Sequence, residues 1–151
     1  MSDKPLLEDE DILRLYAGGV RDFTGYELSI NQIVNTNLSG VNFSGLDLSE
    51  SYLEGSNLSG ANLSGTLFNS ACLDGANLSG ANLTDAGLSM ATLWNANLTG
   101  ANLTGAYLGS AEIARSNLTN ASFIGANIEH IFLKENIYRN TIWIDGSIRN
   151  E

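Results

Sequence analysis

The sequence predicts an all-β solenoid, a parallel β-helix in which the chain turns four times per coil. Two observations carry that reading. An apolar residue recurs at every fifth position, from Phe23, Leu28 and Ile33 through Leu78, Leu83 and Leu88 to Trp143 and Ile148. Two residues before each of these centres the side chain is small from Ser51 to Ala126: mostly Ala, with Ser at 51, 56 and 116 and Thr at 66.

A five-residue period suits neither regular element. Five helical steps rotate the chain by about 140° and scatter the centres, while an odd spacing in a strand alternates its faces. The chain must therefore turn inside each unit. A bend of about a right angle per unit closes a quadrilateral after four units, with every centre inward and Gly near the corners where positive φ is needed. Stacked at ~4.8 Å, such coils place residues twenty apart in columns and make a rod of roughly 30 Å. Each buried Leu or Phe contributes on the order of 1.5 to 3 kcal/mol, and the Ala positions let opposing walls approach.

The units Ser56-Asn57-Leu58-Ser59-Gly60, Ala61-Asn62-Leu63-Ser64-Gly65 and Ala101-Asn102-Leu103-Thr104-Gly105 resemble the pentapeptide-repeat family. The resemblance covers about residues 21 to 127. It implies a right-handed quadrilateral β-helix in which the centre and the small residue two before it point inward and the other three point out. The expected organisation is a helical cap over 1–20, the β-helix over 21–130 and a capping tail over 131–151, all in one structural domain.

At the N-terminal end, Glu8-Asp9-Glu10-Asp11 followed by Ile12, Leu13, Leu15 and Tyr16 reads as a short amphipathic helix stopped by Gly18-Gly19. Residues 12 to 28 resemble the lead-in of many cyanobacterial members. At the other end the repeat degrades through Ile131-Phe132-Leu133 towards Trp143, and Asp145-Gly146 signals a turn. This tail resembles the closing segment of cyanobacterial repeat proteins, with Ile144 where those commonly have Pro. It hides the last coil's edge, and Phe132, Tyr138 and Trp143 make it a candidate homodimer contact.

Composition limits the function. Seventeen acidic against 7 basic residues give a net charge of −10, which argues against nucleic acid and anionic membranes as partners. One Cys (Cys72) excludes an internal disulfide, and with only His130 beside it no Cys/His metal cluster is expected. No cofactor is implied. The acidic start lacks an apolar signal core and no run reaches membrane-spanning length, so the expected location is the cytoplasm.

Wrapping the chain in twenties sorts the centres into four faces: 43, 63, 83 and 103 on face one; 48, 68, 88 and 108 on face two; 53, 73, 93 and 113 on face three; 58, 78, 98 and 118 on face four. On faces one and four the residue before the centre is always Asn, as at Asn62 and Asn57, which suggests hydrogen-bonded ladders between coils. Faces two and three carry Asp47, Leu67, Gly87 and Tyr107, and Tyr52, Cys72, Thr92 and Glu112. Around that individual corner also fall Glu54, Asp74, Met90, Trp94 and Arg115. Aromatics and Met beside a few charges are ingredients of an interaction surface, with Trp94 the favoured anchor and Tyr52 and Leu67 its support.

Glu54 and Asp74 share a column and form a conceivable acid/base pair. Cys72 aside, no nucleophile, His or Lys accompanies them on those faces between residues 41 and 127, and no insertion there forms a lid, so no enzyme is expected. Cys72 beside Asp74 is expected to be inert. The function read from the sequence is a non-catalytic protein-binding scaffold, regulatory in a cyanobacterium, with another protein as partner. Two alternatives stand beside it: a DNA mimic that inhibits a type II topoisomerase, as some family members do, and a structural spacer without a ligand.

Overall fold

The computed structural model describes residues 3–151. Strand β1 (Leu6–Glu8) leads into helix α1 (Asp9–Ala17) and then β2 (Glu27–Ser29). A long series of single bridges follows, with β3 (Glu112–Ala114), β4 (Phe132–Lys134), β5 (Thr141–Ile142) and β6 (Ile148–Arg149) towards the C-terminus.

The bridges define the architecture. Asn37 pairs in parallel with Asn57, Asn42 with Asn62, Asp47 with Leu67, and Tyr52 with Cys72, each partner twenty residues on. From Gln32 onward each coil thus contributes one short bridged segment to each of four columns, and the residue before the centre is the one that bridges. The centres from Ile33 to Phe123, Leu58, Leu63, Phe68 and Leu73 among them, are buried in one continuous core, and of those nearer the ends Leu28, Ile128, Leu133 and Tyr138 pack against it partly buried.

The corners follow from the turn chemistry. The amide of Leu46 donates to the carbonyl of Phe43 at 3.1 Å, closing a four-residue turn whose third residue, Gly45, has φ 70°. A single positive φ at that position is the signature of a type II turn, which favours Gly there.

The buried polar residues at small positions have specific partners. Ser56 Oγ donates to the carbonyl of Ile33 at 2.6 Å, Thr66 Oγ1 to Phe43 at 2.7 Å, Ser116 Oγ to Leu93 at 2.6 Å and Thr141 Oγ1 to Leu118 at 2.7 Å. Each hydroxyl reaches a centre's carbonyl in the preceding coil. At Leu93 it replaces the usual turn: the Ala96 amide donates to Ser116 Oγ at 3.0 Å instead of to the Leu93 carbonyl.

Helix α1 forms where three acids meet the positive end of the helix dipole, and Gly19, at φ 97°, lets the chain leave it. Ile12 is fully buried against the core. Asp9 accepts the otherwise open amides of Asn31 (3.1 Å) and Gln32 (3.0 Å), while the Tyr16 hydroxyl donates to the Ser39 carbonyl at 2.8 Å. Strand β1, which the five-residue frame does not reveal, pairs in parallel with β2.

At the far end the frame stops before its last apparent centre. Ile148 is exposed and lies in β6, antiparallel to β5, where it faces Ile142 instead of the core. The turn at Asp145-Gly146 reverses the chain: Gly146 has φ 81°, and the Trp143 amide donates to the Ser147 carbonyl at 2.7 Å.

Candidate functional site

The two pairs of faces differ in what they show to solvent. On face four the Asn side chains form a ladder: Nδ2 of Asn57, Asn77 and Asn97 each donates to Oδ1 of the Asn one coil earlier, at 3.1, 3.2 and 3.2 Å. Face one has the same link from Asn82 to Asn62 at 3.3 Å. The Asn oxygens also take backbone amides two residues on, as Ser59 donates to Asn57 at 3.1 Å. These side chains are spent on the fold itself.

Faces two and three lack that ladder and carry apolar side chains outward. Tyr52 is 53% exposed, Leu67 40%, Met90 62% and Tyr107 56%; between residues 22 and 120 these are the exposed large apolar side chains, and all four lie on faces two and three or the corner between them. Leu67 and Tyr107 flank Gly87 in one column. A side chain at Gly87 would meet Leu67 Cδ2 at 3.0 Å, so the Leu67 side chain lies over it.

The corner between faces two and three is also distinct in composition, though its left-handed turn is shared by the other corners. Its third turn residue is never Gly: Glu50, Ser70, Met90, Ser110 and His130 occupy it, at φ 62°, 58°, 61°, 57° and 57°. All five are exposed. After face one the same position is Gly at 45, 65, 105 and 125 and a non-Gly residue at Asp85, φ 56°, while the corner after face three holds Asn95, Arg115 and Glu135 there beside Gly55 and Gly75.

Face three holds the remaining candidates. Trp94 is half-buried: its Nε1 donates to Glu112 Oε2 at 2.9 Å and its ring stacks on Phe132 with centroids 6.2 Å apart and planes 16° from parallel. Its amide donates to Asp74 Oδ1 at 2.8 Å. Arg115 pairs with Glu135 at 2.9 Å, and that guanidinium holds the Glu135 carboxyl below the usual carboxylate range. Glu54 has one carboxylate oxygen, Oε2, buried without a hydrogen-bond partner. Burial pushes the Cys72 thiol above its ordinary pKa, and the carboxylates of Asp74 and Glu54 push the same way, against a 3.4 Å hydrogen bond from Thr92 Oγ1.

The structure therefore divides the sequence candidates. Tyr52, Leu67, Met90 and Tyr107 face solvent, whereas Trp94, Asp74, Glu112 and Arg115 are tied to neighbouring coils. Phe132 belongs to this group through Trp94. It does not join Trp143, which is buried against Phe123 beneath Arg149, or Tyr138, which packs edge-on against Trp143.

Coils of twenty residues, joined by parallel bridges around one apolar shaft, define a β-helix. The chain belongs to the pentapeptide repeat family: the family's model, pentapeptide repeats, matches residues 36–75, 47–85, 61–100 and 101–135, in eight copies. Among solved structures, the pentapeptide repeat protein Rfr23 from the cyanobacterium Cyanothece 51142 is 28% identical over 85% of this chain and 96% of its own, with a TM-score of 0.51. The pentapeptide repeat protein alr5209 from Nostoc Pcc 7120 is 31% identical over 87% of this chain and 99% of its own, with a TM-score of 0.40. No curated protein matches the chain in sequence. Membership implies a right-handed β-helix, in a family of structural and binding proteins. No helix among the described residues is long and apolar enough to cross a membrane.

Proposed function

We propose that this chain is a non-catalytic scaffold that binds another protein through the corner between faces two and three. The observation that carries this reading is the unbroken run of non-Gly residues in the left-handed turn position at that corner. A non-Gly residue held there costs roughly 1 kcal/mol relative to Gly. Glu50, Ser70, Met90, Ser110 and His130 bear that cost in five successive coils while their side chains project into solvent. Strain kept without a packing gain points to a use for the side chains themselves. The exposed Tyr52, Leu67 and Tyr107 supply the apolar area that a contact needs.

On the same reading the cross-section is quadrilateral, α1 caps the first coil, and the protein acts in the cytoplasm. The test is capture of partners from the native organism by wild type, by Tyr52→Ser/Leu67→Ser/Tyr107→Ser, and by a face-four control, Ser59→Ala/Ser79→Ala. The reading expects the triple variant to lose what wild type and control retain. Equal capture by all three sinks it.

A second reading, a DNA-mimicking inhibitor of a type II topoisomerase, draws on one feature: no Lys or Arg occurs between Arg21 and Arg115. Inhibition of supercoiling at stoichiometric protein would favour it over the scaffold.

A further inference from the structure

The wall of face two is interrupted once. Along most of it the residue before each centre bridges to its counterpart in the next coil: Asp47 to Leu67, Leu67 to Gly87, Gly87 to Tyr107 and Tyr107 to Asn127. Glu27, in β2, makes no such bridge to Asp47. In the intact wall Leu48 donates to the Leu67 carbonyl at 2.8 Å and Leu67 to the Leu46 carbonyl at 2.9 Å. The matching bonds one coil earlier, Leu28 to the Asp47 carbonyl and Asp47 to the Tyr26 carbonyl, are not formed among the described residues.

The break has a local cause. Gly25 and Ile30, the third turn residues on either side of β2, are not in the left-handed conformation that sets the corners elsewhere. On its other edge strand β2 pairs with β1, the Glu27 amide donating to the Pro5 carbonyl at 3.0 Å, in a register (Leu7 with Leu28) one residue off the twenty-residue frame. Two clefts open along the break. One, of about 430 Å³, is lined by Lys4, Tyr26, Glu27, Leu28, Leu46 and Asp47 among others. The other, of about 330 Å³, includes Leu28, Ile30, Leu48, Ser49 and Glu50.

Two facing strand edges with open amides and carbonyls are a template for another strand. We propose that this break is a strand-accepting slot and that its occupant is an extended, cationic segment of the partner protein. The inference rests on the scaffold reading above and locates one part of that contact.

An added strand places alternate side chains on opposite faces. One set meets Leu28, Leu46 and Leu48 and has to be apolar. The other meets a rim carrying Glu27, Asp47 and Glu50, with Lys4 as the one cation among the described lining residues, and has to be basic. The Lys4 Nζ donates to the Thr24 carbonyl at 2.8 Å. The same carboxylates disfavour a phosphate-bearing occupant, whether nucleic acid or lipid headgroup.

The test selects displayed random short peptides on the full chain, then follows amide exchange with a selected peptide bound. The slot requires peptides alternating apolar and basic residues, slowed exchange at the Leu28 and Asp47 amides, and binding about tenfold weaker in Glu27→Gln/Glu50→Gln. Neutral or acidic peptides, or unprotected Leu28 and Asp47 amides, overturn the slot. If binding is then still lost in Tyr52→Ser/Leu67→Ser/Tyr107→Ser, the slot alone falls and the scaffold corner stands. Peptides indifferent to both sets of substitutions take both readings away.

Discussion

The indole nitrogen of Trp94 donates to Glu112 Oε2 at 2.9 Å, bonding one coil to the next, while the same ring stacks on Phe132 in the coil beyond. Trp94 is thus a clasp across three coils of face three. An aromatic pair of this kind is worth about 0.5–1.5 kcal/mol beyond the area it buries. A double-mutant cycle of Trp94→Ala and Phe132→Ala, followed by chemical denaturation, is expected to show a coupling of about that size. Additive losses would mean that the rings act independently.

The buried hydroxyls separate into two kinds. Ser116 Oγ serves both the Leu93 carbonyl and the Ala96 amide, neither of which the turn satisfies. Ser51 Oγ only doubles a bond that the Ser51 amide already makes to the Leu48 carbonyl. Ser116→Ala is expected to cost about 1–3 kcal/mol, the usual penalty for buried groups left unpaired, and Ser51→Ala clearly less. Denaturant midpoints of the two variants check the order, and equal losses contradict it.

Met90 stands in the left-handed region where the turn favours Gly. Met90→Gly is expected to raise stability by about 1 kcal/mol, because its exposed side chain gives up little packing. Thermal unfolding measures this. A destabilised variant would show that Met90 packs in a way its 62% exposure does not suggest.

Burial, reinforced by the Asp74 and Glu54 carboxylates, raises the Cys72 pKa. A thiol whose folded value lies above its unfolded one contributes stability below the unfolded value, and that contribution is lost as pH rises through the folded one. Alkylation of native Cys72 is therefore expected to be slower than that of the unfolded chain at the same mildly alkaline pH, with its pH profile displaced upward. A native rate matching or exceeding the unfolded rate contradicts this.

The coil was legible in the sequence because one rule, an apolar residue every fifth position, repeats without interruption through the rod. Leu58, Phe68 and Leu83 lie where that rule puts them, and the Asn column on face four stacks as a ladder, whereas face one carries one Asn–Asn link, from Asn82 to Asn62. Features that depend on chain ends were hidden. The pairing of β1 with β2 lies outside the five-residue frame, and Ile148 keeps the frame in sequence after the hairpin has left it in space. The break between β2 and Asp47 comes from turn conformations at Gly25 and Ile30 that residue identity does not dictate. Trp94 was legible as an aromatic on a variable face. Its bond to Glu112 depends on side-chain direction, which periodicity does not carry.

Hydroxyl-radical footprinting tests the central claim most directly, since Tyr and Met are among the side chains that modify readily and the corner is built from them. The account expects Tyr52, Met90 and Tyr107 to lose reactivity together when the partner captured from the native organism is bound, with Ile124 on face one and Ile137 on face four unchanged. Undiminished reactivity at Tyr52, Met90 and Tyr107, with protection on faces one and four instead, would contradict it.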